Sequence, residues 1–301
     1  MEFIGKTRID FMGMKKVSFI ISAIISIIGI FAIIQISLGS ANMGIDFTGG
    51  TVLQLRFEKP IAMDQARKAL TRSGLEVSLQ EIKGDNQLLI KVGKANVAMG
   101  KVSEAVQEVF RKEFSANPFT VDSSSEIGPS IGDKLRNDTL IAVAIAFLGI
   151  ILYIAWRFDF KFGISAVMAT AHDVLAIIAV FYLLNKEVNL LLITAVLTIA
   201  GYSLTDTVVV FDRIRENLRK NLKDSLHNIF NASINEVMSR TIITALTTLL
   251  AALALLFFGG EVIHDFAFAL ALGVVVGTYS SIFVASPIVE ILENRGKPAK
   301  V

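Results

Sequence analysis

Asp206 lies inside an apolar segment, Leu190 to Phe211, where a carboxylate is chemically expensive. An acid at the centre of a membrane helix costs roughly 2.5–3.5 kcal/mol on insertion scales, so it faces other helices or a water path and marks a candidate functional site. Thr194, Thr198, Tyr202 and Asp206 recur every four residues, which places them on one helix face. A second segment carries Arg240, Thr244, Thr247, Thr248 and Ala251 at similar spacing, and a third holds His172 and Asp173 near its middle. Two acids, a histidine and an arginine within apolar segments are the parts of a proton relay. Asp and His change protonation state in a water-lined crevice, and Arg contributes a fixed charge. An arginine beside Asp206 would hold the acid ionised, and its withdrawal would invite a proton, coupling proton binding to helix movement. Sodium is the alternative coupling ion, since Asp and Thr oxygens suit it as well.

Each of these residues also has a plainer reading. Asp206 would then only pair with a base to hold helices together, and the threonines would only bond back to their own helix backbone. Arg240, at the start of its segment, would snorkel to the interface. His172 would be a satisfied buried side chain. Gly273 and Gly277 form a small-xxx-small pattern that permits close helix approach. Asp173 resists such an explanation most, because its own segment has no Lys or Arg.

The rest of the composition narrows the chemistry. The chain has no cysteine, which excludes disulfides, thiolate nucleophiles and cysteine-bound metals. His172, His227 and His264 are scattered, and no HExxH, P-loop or GxGxxG run is present. No enzyme constellation stands out, no cofactor is implied beyond the coupling ion, and a net charge of +2 gives no electrostatic case for nucleic acid.

The elements that position the polar residues are long uncharged blocks. About 20 apolar residues cross a bilayer. Six blocks qualify, near Val17–Leu38, Leu140–Trp156, Ile164–Leu184, Leu190–Phe211, Ile242–Phe258 and Phe266–Val289. The first follows Lys15-Lys16 and is longer than the roughly 7–15 residues of a signal-peptide core, so it reads as an uncleaved anchor. With both termini in the cytoplasm, the tails, the turn after the second span and the loop Asp212–Arg240 place 15 basic residues inside, against Lys186 alone in the opposite short turns. That contrast fixes the orientation expected from the positive-inside rule.

The expected organisation is a cytoplasmic tail and first span over 1–38, an external domain with linkers over 39–137, five further spans over 138–292, and a tail over 293–301. Within the external domain, Thr51–Phe57 alternates with a period of two and reads as a strand. Ala62–Ser73 has helical spacing and ends at Gly74. Val77–Ile82 and Gln87–Val92 are strands joined by the hairpin signal Gly84-Asp85-Asn86. Val97–Phe114 is an amphipathic helix with Val102, Val106, Val109 and Phe110 as its buried stripe, and Phe119–Asp122 is a last strand. This β-α-β-β-α-β order suggests a small ferredoxin-like α+β unit.

Several runs then match a known family in order along the chain. Gly201-Tyr202-Ser203-Leu204-Thr205-Asp206 continues through Thr207-Val208-Val209-Val210-Phe211 to Asp212-Arg213-Ile214-Arg215-Glu216-Asn217. Further matches are Gly44-Ile45-Asp46-Phe47-Thr48-Gly49-Gly50, Gly128-Pro129-Ser130-Ile131-Gly132, Ala171-His172-Asp173-Val174, Ser239-Arg240-Thr241-Ile242-Ile243-Thr244 and Phe258-Gly259-Gly260. Together they resemble the SecD/SecF family of protein-export membrane proteins, on its SecF side. The resemblance implies an RND-type half bundle of six transmembrane helices in the bacterial inner membrane. It also implies proton-motive-force-driven help to secretion alongside SecD, the SecYEG translocon, translocating preprotein and, as a further partner, YajC. By the same resemblance Asp206 and Arg240 take part in proton passage. Asp212 and Arg213 lie in a run that reads either as a solvated, ion-paired helix end or as a hinge or a contact to SecD. A lipid or drug exporter of the RND type and a non-transporting membrane scaffold are the rival classes.

Overall fold

The long apolar blocks fold as helices, and among the described residues six are long and apolar enough to cross a membrane: Met12–Ser37, Pro129–Arg157, Phe160–Leu183, Leu190–Lys220, Leu226–Phe258 and Val262–Asn294. The computed structural model describes residues 7–75, 77–82, 86–93, 101–221 and 223–295. The chain divides into an α+β unit, Met43–Ile141, and a helical unit made of the rest.

In the helical unit, α1 spans Lys15–Ser37, α6 Phe160–Leu183, α7 Leu190–Lys220, α8 Leu226–Phe258, α9 Glu261–Ser280 and α10 Ser286–Arg295. A second long helix, α5 (Pro129–Arg157), enters it from the α+β unit. The segment Asp212–Arg240, read from sequence as a loop, is instead almost wholly helical, and only residues 221–225 separate α7 from α8. At 31 residues α7 is about 46 Å long, well beyond a hydrocarbon core of roughly 30 Å. Its polar end is helical because charges pair along it, with Glu216 bonded to Arg213 three residues before and to Lys220 four residues after. Ser225 caps α8 by accepting from the Asn228 N–H.

Glycines decide which helices touch. A Cβ on Gly273 of α9 would lie 2.5 Å from Ile199 of α7, and one on Gly277 would lie 2.9 Å from Ser203. Gly29 of α1 likewise presses on Leu175 of α6, whose carbonyl oxygen would be 2.4 Å from an added Cβ. The small-residue pattern at Gly273 and Gly277 is therefore a helix contact. At the Phe158 end, Phe158, Phe162, Phe211, Ile214, Phe230 and Ile234 form the apolar core of the unit.

The last span is not a plain α-helix. A π turn, Ser281–Ala285, joins α9 to α10. Pro287 follows it and has no N–H to continue the regular ladder, and Ser286 Oγ donates back to the Ser281 carbonyl at 2.8 Å.

The α+β unit begins with a short helix α2 (Ile45–Thr48) and then runs β1 (Gly50–Phe57), α3 (Met63–Arg72), β2 (Val77–Ile82), β3 (Gln87–Val92), α4 (Val102–Glu113) and β4 (Phe119–Ile127). Its antiparallel sheet has the order β2-β3-β1-β4, the ferredoxin-like arrangement expected from sequence. Every second residue of β1, from Thr51 to Phe57, is buried, as its alternation requires. These side chains pack with Leu70, Leu88, Ile90, Val106 and Phe110, while Val109 sits at the margin of the core. Gly84 and Asp85 of the hairpin and the residues 97–100 expected to open α4 lie outside the described residues, and Asn86 takes the left-handed conformation with φ 51°. The last strand is five residues longer than its alternation predicts, because Ser123 to Ile127 continue the pairing with β1 along a polar edge.

Candidate functional site

Asp206 sits midway along α7 and is partly buried. Its two oxygens accept from hydroxyls on two other elements, Oδ1 from Thr241 Oγ1 of α8 at 2.9 Å and Oδ2 from Ser281 Oγ of the π turn at 2.5 Å. Arg240 is near enough for its charge to act on Asp206. It is nevertheless exposed, and among the described residues it forms no ion pair with the acid. The residue that α8 turns toward Asp206 is thus Thr241, one position beyond the arginine.

Asp173 on α6 occupies a second, fully buried site. Its Oδ2 accepts from Ser203 Oγ of α7 at 2.5 Å and from Ser280 Oγ of α9 at 2.8 Å, and its Oδ1 faces His172 Nδ1 at 3.1 Å. Gly277 lets Ser203 come close enough for this, so the helix contact and the polar contact have one cause. The His172 ring lies 6.0 Å from the ring of Tyr279, and its buried Nε2 has no partner among the described residues. The Tyr279 hydroxyl donates to the Ser18 carbonyl at 3.0 Å and lies 3.1 Å from Ser22 Oγ, both on α1. His172 and Asp173 are therefore brought together with α1, α7 and α9, whereas Asp206 is reached through α8 and the π turn.

The polar stripe faces outward. Thr194, Thr198 and Thr205 on α7, and Arg240, Thr244 and Thr247 on α8, are exposed. Thr194, Thr198, Thr244, Thr247 and Thr248 spend their hydroxyl hydrogens on carbonyls of their own helix, the plainer reading offered for them. Each keeps lone pairs that can accept from a partner or from water. Tyr202 on α7 faces Thr248 and Thr244 of α8, so the stripes of the two helices adjoin.

Two motif regions are structural in a more local sense. Asp212 accepts from Arg157 at 2.7 and 2.8 Å, and Arg213 bridges Glu216 and Glu236, each at 2.5 Å. This ion-paired cluster closes the end of α7 against the end of α5 and against α8. In the α+β unit, Asp46 and the buried Phe47 lie on α2, and Gly49 and Gly50 turn the chain into β1 with φ of 70° and 141°. An added Cβ on Gly49 would meet Pro129 at 2.9 Å, and one on Gly132 would meet the Gly49 nitrogen at 2.9 Å. The two glycine-containing motifs, some eighty residues apart, thus meet where α5 begins.

Thr241, Ser203, Ser280 and Ser281 are the site residues that sequence reasoning missed. Their signal was weak but present: a serine pair deep in an apolar span, six residues before a proline.

Residues 106–295 match the family described as "Protein export membrane protein SecD/SecF, C-terminal", and residues 42–61 match the "SecD/SecF GG Motif" that contains Asp46, Phe47, Gly49 and Gly50. The chain is 51% identical to the protein translocase subunit SecF of Thermodesulfovibrio yellowstonii, with 97% of each chain covered. It is 40% identical to that of Calditerrivibrio nitroreducens, over 97% of this chain and 96% of the other. Among solved structures it is similar to SecDF, a translocon-associated membrane protein from Thermus thermophilus, with a TM-score of 0.83 and 38% identity over 96% of this chain. A second SecDF structure, in a super-membrane-facing form, matches with a TM-score of 0.68 and 35% identity over 97% of this chain. The chain spans only 39% and 40% of those two SecDF chains.

Proposed function

The chain belongs to the SecD/SecF family of protein-export membrane proteins, and on that premise we propose that it forms one half of a proton-driven export motor whose other half is SecD. It sits in the bacterial inner membrane with both termini in the cytoplasm and works beside the SecYEG translocon on emerging preprotein. The observation that carries this reading is the setting of Asp206. An ionised carboxylate at mid-span needs a cation or water, and its direct partners here are two neutral hydroxyls. It lies on the same helices as an exposed stripe of acceptor-only threonines, a surface unsuited to lipid and suited to a partner's helices or a hydrated seam.

In this mechanism protons enter from the outside, bind Asp206 and leave toward the cytoplasm past Arg240. Proton binding removes the charge on which Thr241 and Ser281 converge and on which Arg240 acts, so α7, α8 and the π turn repack. His172 and Asp173 support that repacking. The movement shifts the α+β unit between positions that let preprotein pass outward only, with the Gly49–Gly50 turn and the start of α5 as its joint. One charge crossing 100 mV supplies about 2.3 kcal/mol, enough to bias a two-state element by more than tenfold. The two SecDF relatives overlay on this chain unequally, with TM-scores of 0.83 and 0.68 at nearly equal coverage, so the relatives themselves adopt different shapes.

The test is export of a preprotein in cells carrying Asp206→Asn with SecD present. Proton-dependent export is expected to be lost while the chain accumulates normally in the membrane. Wild-type export at normal protein level would refute the coupling role and favour a scaffold. Export that follows a sodium gradient instead would keep the site and change its ion.

A further inference from the structure

Ser280 and Ser281 are neighbours in the chain but serve different acids. Ser280 Oγ donates to Asp173 Oδ2 on α6, and Ser281 Oγ donates to Asp206 Oδ2 on α7. Successive residues on a helix point about 100° apart, so one pair of residues can reach two neighbouring helices. Each hydroxyl also has a second acceptor at 3.1 Å, the Gly277 carbonyl for Ser280 and the Thr278 carbonyl for Ser281. A hydroxyl has one hydrogen to give, so each serine chooses between a carboxylate and its own helix. An ionised carboxylate wins that choice, because hydrogen bonds to charged acceptors are roughly twice as strong as neutral ones. A protonated one competes far less well. The pair also stands at the start of the π turn, the segment of this span whose ladder is already out of register.

We infer that Ser280 and Ser281 are positioning residues that transmit the charge state of Asp206 to Asp173 and, through it, to α1. The inference rests on the reading of Asp206 as the proton site. When Asp206 takes a proton, Ser281 turns its hydrogen to Thr278, the π turn shifts, and Ser280 moves against Asp173. The groups facing Asp206 are Thr241 and the charge of Arg240 from α8, Tyr202 from α7 and Ser281. Those facing Asp173 are His172, Ser203 and Ser280, so the two sets are joined by the serine pair on the last span and by α7, which carries both Ser203 and Asp206. From Asp173 the contacts continue through His172 and Tyr279 to Ser18 and Ser22. Among the described residues His172 Nε2 has no partner, so only its Nδ1 contact with Asp173 holds the ring. These residues are on α1, the helix whose far end runs on in sequence into the α+β unit.

The experiment is infrared difference spectroscopy of the full chain in membranes with co-expressed SecD as pH is stepped. Carboxyl bands are assigned with Asp206→Asn and Asp173→Asn, and Ser203→Ala marks the Asp173 band should Asp173→Asn not fold. Proton uptake at Asp206 is expected to shift the Asp173 band. Ser280→Ala and Ser281→Ala should each remove that shift, Ser281→Thr should keep it, and proton-dependent export in the alanine variants should fall roughly 2- to 30-fold. An Asp173 band that moves as before in both alanine variants, or that stays fixed in wild type while Asp206 titrates, overturns the inference. A wild type in which no band lost in Asp206→Asn responds to pH brings down the proton-site reading itself, and the coupling with it.

Discussion

Replacing Gly273 by alanine tests whether the contact between α7 and α9 sets the geometry of both acids. The new Cβ would stand 2.5, 2.7 and 2.8 Å from three side-chain carbons of Ile199. Carbon atoms in contact rest about 3.5–4.0 Å apart, so the two helices must separate locally by about 1 Å. Overpacking of this kind costs about 1–3 kcal/mol. Part of that separation reaches the Ser281–Asp206 hydrogen bond, 2.5 Å long and about two turns further along, and lengthens it. Gly273→Ala should therefore lower the unfolding free energy by about 1–3 kcal/mol and reduce export at matched protein level. Gly273→Ala combined with Ile199→Ala removes the clashing carbons and should recover much of both. Denaturant titration in detergent, followed by circular dichroism, measures the stability term, and preprotein export measures the functional one. A single variant that unfolds at the wild-type midpoint, or a double variant no better than the single, would refute the reasoning.

Other positions give independent checks. Gly50→Ala combines a φ of 141° with a Val92 carbonyl 2.6 Å from the new Cβ, so it should disrupt the α+β sheet, whereas Gly39→Ala, at φ 71° in open space, should cost only about 1–2 kcal/mol; hydrogen exchange in β1 and β3 separates the two. The Asp10 carboxyl is held below its ordinary value of 3.8, first by the Gly13 N–H and then by the Asn231 side chain. Its contribution to docking the N-terminal segment on α8 is thus complete above the ordinary value and is lost as pH falls through the lower folded one. Protection of the Ile9 and Met12 amides, which donate to Asn235 and Asn231, should accordingly stay flat, once divided by the intrinsic exchange rate, from neutral pH down to about pH 5 and fall only in stronger acid. Lys15→Met leaves Glu290, which is 2% exposed and bonded to that lysine at 2.8 Å, with only His227 at 3.9 Å, and should destabilise the chain by about 3 kcal/mol, with Glu290→Leu in the same chain restoring most of it in the same titration.

Much of this architecture was legible in the residues because it follows from burial. Unbroken apolar blocks can only be satisfied as membrane helices, and the alternation of Thr51–Phe57 can only be satisfied with one buried face. Helix ends were less legible. The charges from Asp212 to Lys220 suggested a loop, but their spacing pairs them along a helix, so α7 continues through them. The acids were found because a carboxylate in an apolar segment is conspicuous. Their partners were not, because Ser203, Thr241, Ser280 and Ser281 look like ordinary small residues until the packing of Gly273 and Gly277 brings α7 and α9 together. Arg240 shows the converse: its charge drew the stripe of α8 toward it, while the side chain that bonds Asp206 belongs to the next residue.

The central claim is that Asp206 carries the proton that drives export. It is tested most directly in vesicles containing this chain with SecD and SecYEG, loaded with a half-translocated preprotein and given an imposed pH gradient. Wild-type vesicles should complete translocation faster with the gradient than without it, and Asp206→Asn vesicles should run at the gradient-free rate under both conditions. Equal acceleration of wild type and Asp206→Asn by the gradient would contradict the account.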